Sequence, residues 1–187
     1  IAHALVMFNE AQGGLLTTAD LAQCQSRWEE PICTSYRGYT VYEAPPNSSG
    51  HVLLQELNLV EHFDLKALGC NTAESIHRMV EAKKLAFMDR EAFLGDPDFV
   101  DVPTEGLSSK SYAEERLKLI HPDRVATSVQ PGDPWKHQKD EKKASISNKL
   151  STRGERTENT TCFVVVDRWG NAVCQLQSLQ SPFGSSL

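Results

Sequence analysis

Thr161 to Asp167 and Asn171 to Ser178 are two strand-like runs separated only by Arg168-Trp169-Gly170. Three residues with glycine in the left-handed position suit a hairpin turn, so the segment predicts an antiparallel pair. Setting Asp167 opposite Asn171 puts Thr160 across from Ser178, whereas a four-residue loop shifts that pairing by one. In the first register a second hydroxyl can hydrogen-bond the Thr160 Oγ at the mouth of the hairpin. Thr160-Thr161 heads the first strand straight after a long polar segment. Scission of the Asn159–Thr160 bond makes Thr160 a new N-terminus, and a threonine with a free α-amine carries its own general base.

The rest of the chain reads as helices with one strand. Thr17 with Asp20 three residues on marks a helix start, leading into a short helix near Leu21 to Trp28. Tyr36 to Ala44 alternates as a strand, and Pro45-Pro46 stops it. The turn Asn47-Ser48-Ser49-Gly50 offers a hydroxyl to cap a helix over His51 to Phe63. That cap is preferred to an anion-binding turn. The apolar face of this helix is Val52, Leu53, Gln55, Glu56, Leu59, Val60 and Phe63. Asn71, with Glu74 reciprocating, caps the next helix. Its expected buried stripe is Ile76, Met79, Val80, Lys83, Ala86, Phe87 and Phe93, and Gly95-Asp96-Pro97-Asp98 ends it. His77 and Glu81, one turn apart, read as a solvated face rather than metal ligands. Asp89-Arg90 and Asp96 read as structural. A shorter helix near Ser111 to Ile120 follows. Residues 122–159 are poor in apolar side chains, which predicts a mobile connector.

Composition narrows the partners. A net charge of −6 argues against a nucleic-acid surface. No apolar run reaches membrane-spanning length. The five cysteines, Cys24, Cys33, Cys70, Cys162 and Cys174, have no CxxC spacing, and buried free thiols are the expectation. No phosphate loop, nucleotide fingerprint or metal site is visible, so no cofactor is expected. Ile1 in place of an initiator methionine makes the chain read as a partial sequence. The compartment, cytoplasmic or exported, is left open.

Several motifs in order carry a resemblance. They are Tyr36-Arg37-Gly38-Tyr39, Pro45-Pro46-Asn47-Ser48-Ser49-Gly50, Leu57-Asn58, the run Glu81 to Arg90, the run Gly95 to Val100, and Thr160-Thr161 with Gly170-Asn171-Ala172-Val173 and Phe183-Gly184. On these the chain resembles the γ-glutamyltransferase (γ-glutamyltranspeptidase) family, and more closely its γ-glutamyltransferase-like hydrolase branch. The resemblance implies an α+β fold, part of the αββα sandwich of the N-terminal-nucleophile hydrolases. It implies a precursor that cleaves itself between Asn159 and Thr160. Residues 1–159 are then the later part of the large subunit, with 122–159 its polar connector, and 160–187 open the small subunit. The family's carboxylate-gripping arginine, oxyanion-hole glycines and serine pair lie outside this stretch.

The same resemblance assigns roles. Thr160 is the nucleophile, acting on a γ-glutamyl amide such as glutathione and passing the acyl group to water or an acceptor amine. Ser178 matches a threonine that hydrogen-bonds the nucleophile. Gln180 matches an asparagine that contacts the glutamyl group, and is one methylene longer. Cys162 stands where many relatives have histidine; as a nucleophile in its own right it is disfavoured by its place in a strand without a nearby histidine. These departures keep two alternatives in view: the same chemistry on another acyl group, such as a glutaryl amide, and a non-catalytic fragment or homologue.

Overall fold

A computed structural model describes residues 1–139 and 160–178, except for the side chains of Thr160 and Gln177. In chain order the first elements are α1 (Ala2–Ala11), α2 (Thr18–Gln23), β1 (Ile32–Tyr36), β2 (Tyr39–Glu43) and α3 (Gly50–Val60). There follow α4 (Leu65–Leu68), α5 (Ala73–Phe93), α6 (Thr104–Ser108), α7 (Lys110–Leu117), a 3-10 turn (Pro134–His137), β3 (Thr160–Val166) and β4 (Ala172–Ser178). The chain divides into two compact units, Trp28–Leu150 and a unit made of Ile1–Arg27 with Ser151–Leu187.

Within the second of these, α2 begins as the capping residues predict. The Thr17 hydroxyl accepts from the Asp20 N–H at 3.2 Å, and the Asp20 carboxylate accepts from the Thr17 N–H at 2.8 Å. The helix occupies Thr18–Gln23 rather than extending to Trp28, and Cys24 is already extended. It buries no residue, so nothing offsets the cost of propagating a short helix. The helix α1 has no counterpart in the sequence reading.

The larger unit is built around α3 and α5. The expected single strand from Tyr36 to Ala44 is a hairpin: β1 pairs antiparallel with β2, Tyr36 opposite Tyr39. Arg37 and Gly38 both have positive φ, 47° and 89°, which is the two-residue turn that matches strand twist. Ser49 does not cap α3 with its side chain. Its hydroxyl instead accepts from the Arg90 Nε of α5 at 3.0 Å. Gly50 must be glycine, because a Cβ there would lie 2.4 Å from the Ala44 carbonyl oxygen. Thr72 and Ser75, not Asn71 and Glu74, form the reciprocal cap of α5. Asn71 takes the left-handed conformation that asparagine tolerates, φ 55°.

The apolar core consists of Leu59, Val60, Ala82, Leu85 and Ala113, with Tyr36, Leu65, Leu117, Ile120 and Val129 packed against it. The buried face of α5 is Ser75, Glu81, Ala82, Leu85, Ala86 and Asp89. Ile76, Met79, Val80 and Phe87, expected inside, are exposed. The expected stripe is therefore rotated away from the observed one. The observed face packs Ala82 and Leu85 against Leu59 and Val60 of α3, and its carboxylates find donors in the segment that follows α7.

Those partners come partly from the segment expected to be a mobile connector. Glu81 accepts from the Ala126 N–H at 3.0 Å and from Lys84 Nζ at 2.6 Å. Asp89 accepts from the Gly132 N–H at 2.9 Å, and Arg116 donates to the Gln130 carbonyl at 2.8 Å. Gln138 Oε1 accepts from the Gly106 N–H at 2.8 Å. Residues 122–139 are thus held by polar contacts where the sequence shows few apolar ones. The remainder of that segment, 140–159, lies outside the described residues.

Candidate active site

The hairpin at Thr160–Ser178 is organised by its turn. Gly170 has φ 85° and donates its N–H to the Asp167 carbonyl at 3.2 Å. Asp167 Oδ1 accepts from the N–H groups of Trp169 and Asn171 at 2.8 and 2.9 Å, and Oδ2 accepts from Asn171 Nδ2 at 2.8 Å. The Asn171 side chain foremost, helped by the turn N–H groups, holds the Asp167 carboxyl below its usual range. Asp167 was not singled out from the sequence as more than a register point. An aspartate two residues ahead of a turn amide is the available signal.

The register of β3 with β4 is the one that the three-residue turn predicts, from Val166 opposite Ala172 to Thr160 opposite Ser178. Because side chains alternate along strands, the positions Thr160, Cys162, Val164 and Val166 share a face with Ala172, Cys174, Leu176 and Ser178. Ser178 is exposed. The side chain of Thr160, together with Asn159 and Gln180, lies outside the described residues. All five cysteines are exposed, contrary to the expectation of buried thiols. The sulfurs of Cys162 and Cys174 lie 3.9 Å apart.

The other unit holds a buried polar network that the sequence reading did not identify. Asp89 is fully buried and accepts from Gln55 Nε2 at 3.0 Å and the Tyr112 hydroxyl at 2.9 Å. Arg116 lies 3.3 Å away. Burial pushes the Asp89 carboxyl up, against the pull of Arg116 and its hydrogen-bond donors. Burial likewise raises the Tyr112 hydroxyl. Asn58 joins β1 to α6, accepting from Thr34 Oγ1 at 2.7 Å and donating to the Ser108 carbonyl at 2.8 Å. The reading of His77 and Glu81 as a solvated face is overturned. Glu81 is buried, and His77 Nε2 lies 2.7 Å from the His121 carbonyl oxygen. A cleft of about 500 Å³ borders this region, lined in part by Glu81, Arg116, His121, Arg124 and Ser128.

These features place the chain among known proteins. A family profile described as Gamma-glutamyltranspeptidase matches residues 1–187. The chain is 36% identical over 176 residues to the glutathione hydrolase proenzyme of Bacillus subtilis (strain 168), covering 94% of this chain and 30% of that protein. It is 36% identical over 186 residues to the Acylase ACY 1 proenzyme of Pseudomonas sp. (strain SE83), covering 99% of this chain and 30% of that protein. Among solved structures, γ-glutamyltranspeptidase from Helicobacter pylori superposes with a TM-score of 0.64 at 39% identity, over 74% of this chain and 40% of that one. The chain thus spans about 30% of the length of these curated relatives. Its helices and strand pairs are α+β, part of an N-terminal-nucleophile hydrolase fold. With its whole described length matched in sequence and most of it in structure, the chain belongs to the gamma-glutamyltranspeptidase family.

Proposed function

We propose that the protein containing this chain is a self-processing γ-glutamyl hydrolase or transferase whose nucleophile is Thr160. The observation that carries this reading is the backbone pairing of Thr160 with Ser178 at the open end of the hairpin, in a chain of this family. Residues 1–159 belong to the large subunit of the mature enzyme and 160–187 open the small one. In the precursor the Thr160 Oγ attacks the Asn159 carbonyl carbon. The bond to the Thr160 nitrogen breaks as the acyl group moves to oxygen, and water hydrolyses the resulting ester. This leaves a carboxylate on Asn159 and an α-amine on Thr160.

An α-amine of ordinary pKa, about 7.7–8.0, exchanges protons readily near neutral pH. It takes the Thr160 hydroxyl proton as Oγ attacks a γ-glutamyl amide, and returns it to the departing amine. Water or an acceptor amine then discharges the acyl-enzyme. Ser178 supports the nucleophile through a hydrogen bond, and Gln180 contacts the acyl group. A second reading keeps this chemistry and changes the acyl group. It is favoured by Gln180 in place of asparagine and by the 36% identity to an acylase proenzyme.

Intact-mass measurement on the complete gene product tests the reading. It should yield fragments that end at Asn159 and begin at Thr160. Thr160→Ala should abolish cleavage and lower amide hydrolysis by about a thousandfold or more. An unbroken chain that hydrolyses amides at full rate would overturn it. Turnover of γ-glutamyl anilides against glutaryl amides decides between the two acyl groups, and hydrolysis of neither favours a non-catalytic homologue.

A further inference from the structure

We propose that Cys162 and Cys174 form an oxidisable dithiol on the strand pair that carries Thr160, and that small-molecule disulfides convert it to a cross-strand disulfide. The sulfurs lie 3.9 Å apart, little more than van der Waals contact, and both residues are exposed. The two are not directly opposite: Cys162 pairs with Leu176 and Cys174 with Val164. They are diagonal neighbours on one face, a relation that long or polarisable side chains span across an antiparallel pair. The Cys174 thiol is pushed above its ordinary value, first by its contact with Cys162, as befits two sulfurs in one small space.

The chemistry balances by thiol–disulfide exchange. The thiolate of one cysteine attacks a sulfur of the small disulfide, forming a mixed disulfide and expelling one small thiolate. The second cysteine's thiolate then attacks the protein sulfur of that mixed disulfide and expels the other small thiolate. The two protein thiols lose two protons to solvent, and their two electrons reduce the oxidant to two thiolates. Closure must bring the sulfurs from 3.9 Å to about 2.05 Å. A diagonal pair reaches that distance only with side-chain rotation and some strand movement. Such strain makes a disulfide easily reduced. The bond is therefore a labile modification rather than a permanent staple. Its position is chemically pointed, because Cys162 lies two residues from Thr160 on the same face and Cys174 is on the strand that ends at Ser178.

The test uses the complete protein, reduced, exposed to oxidised glutathione and quenched with iodoacetamide. Trypsin cleaves after Arg168 and so separates the two cysteines onto different peptides. Mass mapping should find those peptides joined, in about half or more of the protein, and separated again by dithiothreitol. Recovery of both as alkylated thiols, or each only as its own glutathione adduct, overturns the proposal. Exposed Cys24, Cys33 and Cys70 give adducts or cross-links on other peptides, so they do not obscure the result. Cys162→Ser should leave Cys174 with a glutathione adduct and no cross-link, and mapping of the wild-type protein decides the matter if that variant does not fold. Because oxidised glutathione is itself a γ-glutamyl compound, the same mapping repeated with 2-hydroxyethyl disulfide, which has no acyl group to lose, reads the cross-link separately from the acyl chemistry.

Discussion

The hairpin of β3 with β4 and the helical unit around α5 distribute polarity in opposite ways. In the hairpin, Val164, Val166 and Leu176 are exposed by 62%, 63% and 67%. In the helical unit, His51, Asn58 and Asp89 are fully buried while Ile76, Met79 and Val80 are exposed. The hairpin owes its form to local rules: a left-handed glycine, an aspartate that gathers the turn amides, and alternation on either side. The helical unit owes its form to partners distant in sequence, since Asp89 is satisfied by Gln55, Tyr112, Arg116 and Gly132. The turn and register of the hairpin thus follow from contiguous residues, whereas a buried carboxylate is defined only by what surrounds it.

The largest test of that contrast is Asp89→Ala. It strands Arg116 and the other donors in a buried site and should cost about 3–5 kcal/mol in urea unfolding. A loss below about 1 kcal/mol would show that the network adds little.

His51 comes next. Burial, aided by the Arg90 charge, pushes its imidazole from the usual 6.5 down to about 4. The unfolded chain therefore binds this proton at higher pH than the folded one. Stability should fall as pH drops from 6.5 toward about 4, by about 1.4 kcal/mol per unit, and so by about 2 kcal/mol at pH 5. His51→Leu should flatten that slope in unfolding curves taken across the range.

In the hairpin, Gly170→Ala meets no neighbouring atom and pays only for φ 85°, about 1 kcal/mol. A much larger effect would mean that the turn is packed against other structure. The smallest change expected is Ile76→Ser on the open face of α5, within about 0.5 kcal/mol. A loss several times greater would show that this face is covered in the complete protein, and would narrow the difference between the two regions.

The family and the Thr160–Ser178 register were legible because both are encoded in contiguous residues and a period of two. Helix positions for α3 and α5 followed from the turn and breaking residues near their ends, although the side chains expected to cap them are not the ones that do. The orientation of α5 did not. Ile76, Met79, Val80 and Phe87 form as good an apolar stripe as any, but the inner face is that of Ala82, Leu85 and Ala86, and its carboxylates Glu81 and Asp89 find donors on segments distant in sequence. Strand β1 was missed because Ile32–Tyr36 has one buried residue, Thr34, and shows its worth only when paired with β2.

Turn chemistry, strand register and element boundaries depend on neighbours a few bonds away, and the chain order of residues specifies them. Burial depends on solvation, and solvation is a property of the folded surroundings. Hence the inward polar face of α5, the anchoring of residues 122–139 and the approach of Cys162 to Cys174 emerged only with the three-dimensional arrangement. In each case a hydrogen bond or sulfur contact between residues remote in sequence replaces water that the linear pattern cannot see.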